Sequence, residues 1–229
     1  MIRTLIFCCM LGLLPVREMV AQQNDTIAIP FNFKFGEEKL ALRKNYISQT
    51  KDTLQISVLK YYVSDFQIVF EDATVIKSKS AAYLMDFENP TTLKITLNGD
   101  PKKIIAKIIF QVGIDSLTSI SGAMPGDLDP TKGMYWAWQS GFINMKLEGK
   151  SSSCLTRKNE FQFHVGGYLN PYYALRKVVL EVKKLNPKIT VDVAELFSKI
   201  KLLETNSILI PGKKAMKVAD YSQQMFKTE

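Results

Sequence analysis

The chain has 229 residues, with 30 Lys and Arg against 22 Asp and Glu and a formal net charge of +8. The basic residues are scattered singly or in pairs, which is typical of a solvated surface and gives no indication of a nucleic-acid partner. Cys8 and Cys9 lie near the amino terminus, and Cys154 is the only cysteine in the rest of the chain. A single cysteine there excludes an internal disulfide, a metal site built from cysteines and a CxxC redox pair. Because Cys154 lies in the polar run 150–158, we expect an exposed loop thiol.

Residues 1–21 have the pattern of a secretory signal peptide. Arg3 gives a basic start, residues 5–14 form a compact apolar run, and the chain then turns polar. The run is shorter than the roughly 20 apolar residues that cross a bilayer, so a retained membrane anchor is the less favoured alternative. No later segment has the length and apolarity of an integral membrane span. We predict a periplasmic or secreted protein that begins near Gln22 and forms a single domain over residues 22–229.

Alternation of apolar and polar residues is the dominant signal in the rest of the chain. Ile29, Phe31, Phe33 and Phe35 share one parity, which predicts a strand with one buried face. Alternation or β-prone composition predicts further strands at 54–58, 59–63, 66–70, 82–86, 93–97, 104–114, 143–147, 161–165, 178–182 and 189–193. Many short strands separated by Gly, Pro, Asn and Asp predict an all-β fold, a β-sandwich of antiparallel strands.

Helix is predicted only near the carboxyl terminus. Asp192 and Glu195 have the spacing of a capping pattern, which predicts a short helix running to Lys201. The apolar residues Val218, Tyr221, Met225 and Phe226 have helical spacing, and we expect that helix to pack its apolar face on the sandwich.

One long segment without a strand pattern, residues 115–138, contains both tryptophans of the chain. Long structured loops in compact domains are more often functional than decorative. The carboxylates Asp115, Asp127 and Asp129 in this segment are candidate calcium ligands. Their spacing is not that of an EF-hand, and turn formation is the favoured interpretation.

Five short segments occur in an order that resembles a known family: LKYYVS at 59–64, FQVGI at 110–114, GMYWAWQSGFI at 133–143, LEG at 147–149 and FQFHVGG at 161–167. They resemble the MbnP-like domain family, the methanobactin-associated periplasmic copper proteins. The resemblance covers nearly all of the chain after the predicted signal peptide. It implies a secreted β-sandwich that binds copper, with histidines as ligands. It also implies a tryptophan at the copper site that a partner dihaem oxidase converts to kynurenine.

His164 is the only histidine, so a copper site built from several histidines is excluded for this chain. It lies on the opposite parity from Phe161 and Phe163, with glycines following it. The resemblance makes His164 a candidate copper ligand, and a hydrogen-bonded structural histidine is the alternative. Met134, which lies in the family motif, is the candidate thioether ligand, with packing as the alternative; Met124 and Met145 are further thioether candidates.

Trp136 and Trp138 share parity in an extended segment, which predicts that they lie side by side. One interpretation makes them the modified or pocket-lining residues that the resemblance implies. The other makes both of them buried aromatic plugs that hold the loop, with truncation of either costing about 3–5 kcal/mol.

No motif indicates an enzyme: the chain has no GxSxG elbow, no phosphate-binding glycine loop and no dinucleotide fingerprint. Three functions follow in order of preference. The first is copper binding in the periplasm. The second is a non-metal envelope interaction module that contacts a partner protein through an exposed aromatic patch near the tryptophans. The third is an enzyme built on a carboxylate pair, for which no fixed spacing exists.

Overall fold

A computed structural model of the chain describes residues 25–139 and 141–228. The predicted signal peptide lies outside these residues. Fifteen strands dominate the described part: β1 (Thr26–Phe35), β2 (Glu38–Lys39), β3 (Asn45–Ile47), β4 (Thr53–Phe70), β5 (Val75–Lys77), β6 (Ala82–Asp86), β7 (Lys94–Asn98), β8 (Ile105–Val112), β9 (Tyr135–Trp136), β10 (Gly141–Ser151), β11 (Glu160–Gly166), β12 (Arg176–Lys184), β13 (Ile189–Asp192), β14 (Ser207–Ile208) and β15 (Phe226–Thr228).

The strands form two sheets that pack face to face as a β-sandwich. The smaller sheet has the order β15–β13–β1–β2, with β7 also paired to β1. The larger sheet has the order β12–β8–β4–β10–β11–β14, and β3, β5, β6 and β9 pair at its margins. Both sheets contribute to one buried apolar core, which we call the main core. Its aromatic rings meet across the two sheets, as in the pair of Phe31 and Phe110, whose centroids are 6.2 Å apart. The predicted all-β sandwich is confirmed.

Strand β4 is longer than the sequence patterns indicated. The three segments predicted as separate strands between residues 54 and 70 form one strand of 18 residues. The strand continues past Asp65, which has a φ of 47°, and the register of β4 against β8 shifts between Ser64 and Gln67. A bulge of this kind bends a strand without ending it.

Two strand pairs are parallel, although the sequence predicted antiparallel pairing throughout. β1 pairs with β13 and β11 pairs with β14 in parallel, while the other pairs are antiparallel. The residue pattern could not distinguish the two arrangements because alternation reports which face of a strand is buried and not the direction of its neighbour.

The helices are short, and within the described residues none is both long and apolar enough to cross a bilayer. They are α1 (Ser116–Ile120), α2 (Val193–Phe197) and α3 (Lys213–Ser222). Asp192 caps α2 as predicted, by accepting a hydrogen bond from the Ala194 amide at 3.1 Å, but the helix ends before the expected Lys201. α3 buries Ala215, Val218 and Ala219 and packs against β11.

The last predicted helix is therefore confirmed in part. Val218 lies in α3, but α3 ends at Ser222. Met225 belongs to a 3₁₀ turn, and Phe226 begins β15.

The prediction of an exposed thiol at Cys154 is wrong. The residue is fully buried in the main core, although its sequence neighbours are polar. Burial, with a smaller contribution from the Asp52 carboxylate, raises the pKa of the thiol to about 11. The thiol therefore stays neutral at ordinary pH and serves as a small apolar side chain.

The long segment from 115 to 138 covers the outer face of the larger sheet. Leu128, Met134 and Trp136 from this segment pack on residues of β4, β6 and β10, including Tyr62 and Phe142. We call this second group of buried residues the outer-face cluster. The larger sheet is thus buried on both faces at this place, with the main core on one side and the loop on the other.

Candidate functional site

His164 lies on the outer face of the larger sheet, opposite the main core. Phe161 and Phe163, which have the other parity, are fully buried in the main core, as the sequence predicted. The cross-strand neighbour of His164 is Lys146 on β10, whose other neighbour is Lys60 on β4.

Five charged or titratable side chains form a row across β6, β4, β10 and β11. The Lys60 ammonium lies 2.9 Å from the Asp86 carboxylate. The Glu148 Oε1 atom lies 2.6 Å from His164 Nε2 and 3.6 Å from Lys146 Nζ. All five are partly buried, with 16 to 23% of each side chain exposed. Two lysines balance two carboxylates in this row, so it carries no excess charge that would attract an ion.

The hydrogen-bonding role of each His164 ring nitrogen follows from the contact with Glu148. Because an ionised carboxylate only accepts hydrogen bonds, the short contact to Glu148 places the imidazole proton on Nε2. A histidine that donates from one nitrogen to a carboxylate is a common arrangement at metal sites, where the other nitrogen binds the ion. The same contact also satisfies a structural histidine, which was the alternative interpretation of the sequence.

The methionines do not join His164. Met145 is buried in the main core, on the opposite face of the sheet from His164. Met134 is fully buried in the outer-face cluster, and its carbonyl accepts the hydrogen bond of the Ile143 amide at 2.9 Å. Met124 packs against the same cluster. Each thioether therefore has a packing role.

Two of the three aspartates of the loop, Asp115 and Asp129, form turns, as the sequence favoured. Asp115 caps α1 through the Thr118 amide at 2.8 Å. Burial alone would raise the pKa of Asp115, but hydrogen bonds from Thr118 outweigh it and lower the pKa. Asp129 accepts from the Thr131 amide at 2.8 Å, and hydrogen bonds from the Thr131 hydroxyl and then from this amide lower the pKa of Asp129.

Asp127 ties the loop to the sheet. Its Oδ2 atom accepts the Leu84 amide at 3.1 Å, its Oδ1 atom lies 2.8 Å from Lys132 Nζ, and its carbonyl accepts the Tyr62 hydroxyl at 3.0 Å. Burial, together with the negative charges of Asp127 and Asp129, raises the pKa of Tyr62, so its hydroxyl remains a donor.

Trp136 and Trp138 lie side by side, with ring centroids 5.9 Å apart, as predicted. Their environments differ. Trp136 is 6% exposed and packs directly over Gly166, where a Cβ atom would approach the indole Cζ3 to 2.7 Å. The space over Gly166, the first of the two glycines that follow His164, is therefore filled by Trp136.

Trp138 is 62% exposed and lines a pocket of about 370 Å³. The opposite walls come from residues 167–172 and from Ile210 and Pro211. Gly167 adopts a φ of 136°, which favours glycine, and a Cβ atom there would lie 2.1 Å from the Tyr172 carbonyl. The interpretation that both tryptophans are buried plugs is therefore wrong for Trp138.

Several large apolar side chains are exposed around this pocket. We call the group formed by Trp138, Leu169, Tyr172 and Ile210 the Trp138 patch; its members are between 37 and 62% exposed. The nearby helix α1 is linked to the pocket wall, because the Ser116 hydroxyl donates to the Tyr168 carbonyl at 2.6 Å.

Comparison with known proteins agrees with this architecture. The family model described as MbnP matches residues 24–214. The chain belongs to the MbnP family. The structure of MbnP from Methylosinus trichosporium superposes with a TM-score of 0.60 at 14% identity, over 78% of this chain and 79% of that chain. At this identity the likeness concerns the fold alone. No curated protein sequence matches the chain significantly.

The residues of this MbnP-family chain do not fit a copper centre with several protein ligands. Within residues 25–139 and 141–228, no three His, Cys, Asp or Glu side chains are grouped so that they could hold a metal ion. The imidazole of His164 has one carboxylate and one ammonium beside it. A transition-metal site needs more donors than this pair supplies.

The sequence did not indicate the second wall of the Trp138 pocket. Leu169, Tyr172 and Ile210 come from two loops outside the quoted motifs, and the strand pattern assigns neither of them a role. One sequence feature could have indicated this wall: large apolar residues beside turn-forming Asn and Pro, as in the Leu169-Asn170-Pro171-Tyr172 run.

Proposed function

We propose that this MbnP-family protein is a non-catalytic interaction module of the cell envelope, exported by its signal peptide, and that the Trp138 patch contacts a partner protein. The observation that supports the proposal is the 62% exposure of Trp138 beside a formed pocket. A large indole exposed to solvent costs free energy that contact with a partner recovers.

The Trp138 indole lies against an anchored neighbour, because its ring centroid is 5.9 Å from that of Trp136. Trp136 anchors the loop against Gly166, and the adjacent strand pair β9–β10 begins at Gly141, on which the Tyr168 ring packs. Rigid tryptophan and tyrosine side chains give large contact area at a small cost in conformational entropy, and they are over-represented at interface hot spots. The patch combines one of each with two aliphatic residues.

The apolar surface extends beyond a small-molecule pocket. Helix α1, whose first residue Ser116 contacts the pocket wall, carries the exposed side chains Leu117 and Ile120, at 77% and 65% exposure. Apolar side chains spread over two loops and a helix suit a protein surface better than a compact ligand.

The test uses a photoreactive amino acid at position 172, next to Trp138, in protein expressed in its native host. We expect a discrete crosslinked species that purified wild-type protein competes away. Trp138→Ala protein should fail to compete. Leu155→Ala is the matched control, since Leu155 is an apolar residue outside the patch that is even more exposed than Trp138, and it should compete like wild type. Equal competition by all three proteins would refute the proposal.

A dihaem oxidase is one partner that the family resemblance implies, and Trp138 is then its accessible substrate because Trp136 is buried. Such an oxidase would use O₂ or peroxide to add two oxygen atoms across the C2–C3 bond of the indole, and hydrolysis would then release C2 as formate. The net exchange of one carbon for one oxygen gives kynurenine and adds about 4 Da. Peptide mass spectrometry of protein from the native host should locate the added mass at Trp138. Modification of Trp136 alone would contradict this assignment.

Copper binding is the second candidate function, and the pairing of His164 with Glu148 is the observation that favours it. In this proposal the imidazole nitrogen that does not face Glu148 binds the ion. Titration with cuprous and cupric ions, with metal analysis of protein from a periplasmic extract, tests it. His164→Ala should remove most of the bound copper, and Glu148→Gln should weaken binding by a smaller factor. Equal copper content in His164→Ala and wild type would reject His164 as a ligand.

A further inference from the structure

A pocket of about 260 Å³ lies between the segment that follows α2 and the helix α3. Its rim carries four lysines: Lys199, Lys201, Lys214 and Lys217. We call it the lysine pocket. It shares no lining residue with the pocket beside Trp138.

The fold brings these lysines together from two stretches of sequence, one just after α2 and the other at the start of α3. Ile200 is buried, so the lysines on either side of it project outward. Helix α3 buries Ala215 and Val218 on its inner face, which leaves Lys214 and Lys217 exposed as neighbours one turn apart. The two pairs then face each other across the pocket.

The charge of the lysine pocket is poorly compensated. Glu204 is its only lining carboxylate, and it lies 3.4 Å from Lys201. Within residues 25–139 and 141–228, Lys199 and Lys214 make no ion pair closer than 4 Å. Four like charges with one partner repel one another, and an anion would relieve that repulsion.

The helix beside the pocket adds to this excess. α3 begins with Lys213 and Lys214 and has no acidic residue in its first turn. Acidic residues are favoured there because the helix dipole is positive at this end, so basic residues in this turn cost stability. Residues that depart from such a local preference are found most often at functional sites.

We propose that the lysine pocket binds a phosphate-bearing ligand. Lysine ammonium groups act as point charges that can surround a phosphate, and the four lysines of this pocket suit the roughly −1.5 to −2 charge of a phosphate ester better than the single charge of a carboxylate. The buried side chains of Ile200 and Val218 form an apolar floor for the organic part of a phosphate ester. A lipid headgroup and a soluble phosphate ester share this chemistry.

The proposal is tested on the full mature chain with two probes. Calorimetric titration with inorganic pyrophosphate tests soluble phosphate. Flotation with vesicles of phosphatidylglycerol and phosphatidylcholine, against vesicles of phosphatidylcholine alone, tests a lipid headgroup. The pocket variant is Lys199→Gln with Lys214→Gln and Lys217→Gln. The matched control is Lys77→Gln with Lys79→Gln and Lys102→Gln, which removes the same charge from exposed positions outside the pocket.

We expect wild-type protein to bind at least one probe, with affinity that falls as salt is added. The pocket variant should lose about tenfold or more in affinity, since several charged contacts are removed together. The control variant should bind like wild type, and circular dichroism should show that both variants are folded. Binding of pyrophosphate without flotation would assign a soluble ester, and flotation that the pocket variant alone loses would assign a lipid headgroup. Failure of wild type to bind either probe, or equal losses in both variants, would overturn the proposal.

Discussion

The main core and the outer-face cluster lie on opposite sides of the same strands, β4 and β10, but they are built in different ways. The main core is sealed between two sheets by side chains at alternating positions, such as Phe110 and Leu147. The outer-face cluster has a sheet on one side only, and an irregular loop supplies the other side through Leu128, Met134 and Trp136. Polar contacts as well as packing hold this loop, and two of these contacts are made by Asp127. The comparison teaches that one sheet can pack regularly against a second sheet on its inner face while its outer face carries an irregular loop.

The largest loss of unfolding free energy is expected for a substitution in the main core. Phe110 is fully buried and packs against the rings of Phe31, Phe66 and Phe226, with centroids 5.2 to 6.2 Å apart. Phe110→Ala should therefore cost about 3–5 kcal/mol of unfolding free energy, measured by chemical denaturation. The loss should lower the protection of every strand against hydrogen exchange. A change confined to the outer-face loop would contradict the comparison.

Trp136→Ala should lower the unfolding free energy somewhat less, by about 3 kcal/mol, because the loop above the outer-face cluster can close part of the cavity that the indole leaves. Hydrogen exchange should separate the two regions. We expect faster exchange in residues 115–139 and little change in the strands around Phe110. Equal acceleration in both regions would show that the outer-face cluster is part of one cooperative unit with the main core.

Removing the Asp127 side chain, which anchors the loop by polar contacts, should lower the unfolding free energy by a smaller amount. Asp127→Ala leaves the Leu84 amide without its acceptor and should cost about 1–3 kcal/mol. Asp72→Ala, which removes an exposed carboxylate paired with Lys103, is the control and should change the denaturation midpoint less. An equal shift for the two variants would mean that packing alone holds the loop.

Trp138→Ala should have the smallest effect on stability, within about 0.5 kcal/mol, because the indole is largely exposed. The sequence alone had suggested about 3–5 kcal/mol for either tryptophan. Thermal melts of Trp136→Ala and Trp138→Ala, measured side by side, make the most direct comparison. A loss of more than about 2 kcal/mol at Trp138 would identify it as a structural plug and weaken the proposed interaction surface.

The inner faces of the strands were predictable because burial between two sheets imposes a period of two on the sequence. Ile29, Phe31, Phe33 and Phe35 alternate in the sequence and are buried in the structure for this reason. The same parity placed His164 on the opposite face from Phe163. The family motifs added the fold, because their order along the chain reflects the order of the strands.

Only the tertiary structure decided which residues of the loops are buried and which charges meet. Cys154 and Trp138 lie outside the predicted strands, so nothing local shows that one is buried and the other exposed. The four lysines of the lysine pocket come from two separate stretches of the sequence and line one pocket because α3 packs against α2. Periodicity is a local property that a strand carries in its own residues. The environment of a loop side chain is set by elements distant in sequence, and the candidate sites of this protein lie among such loops.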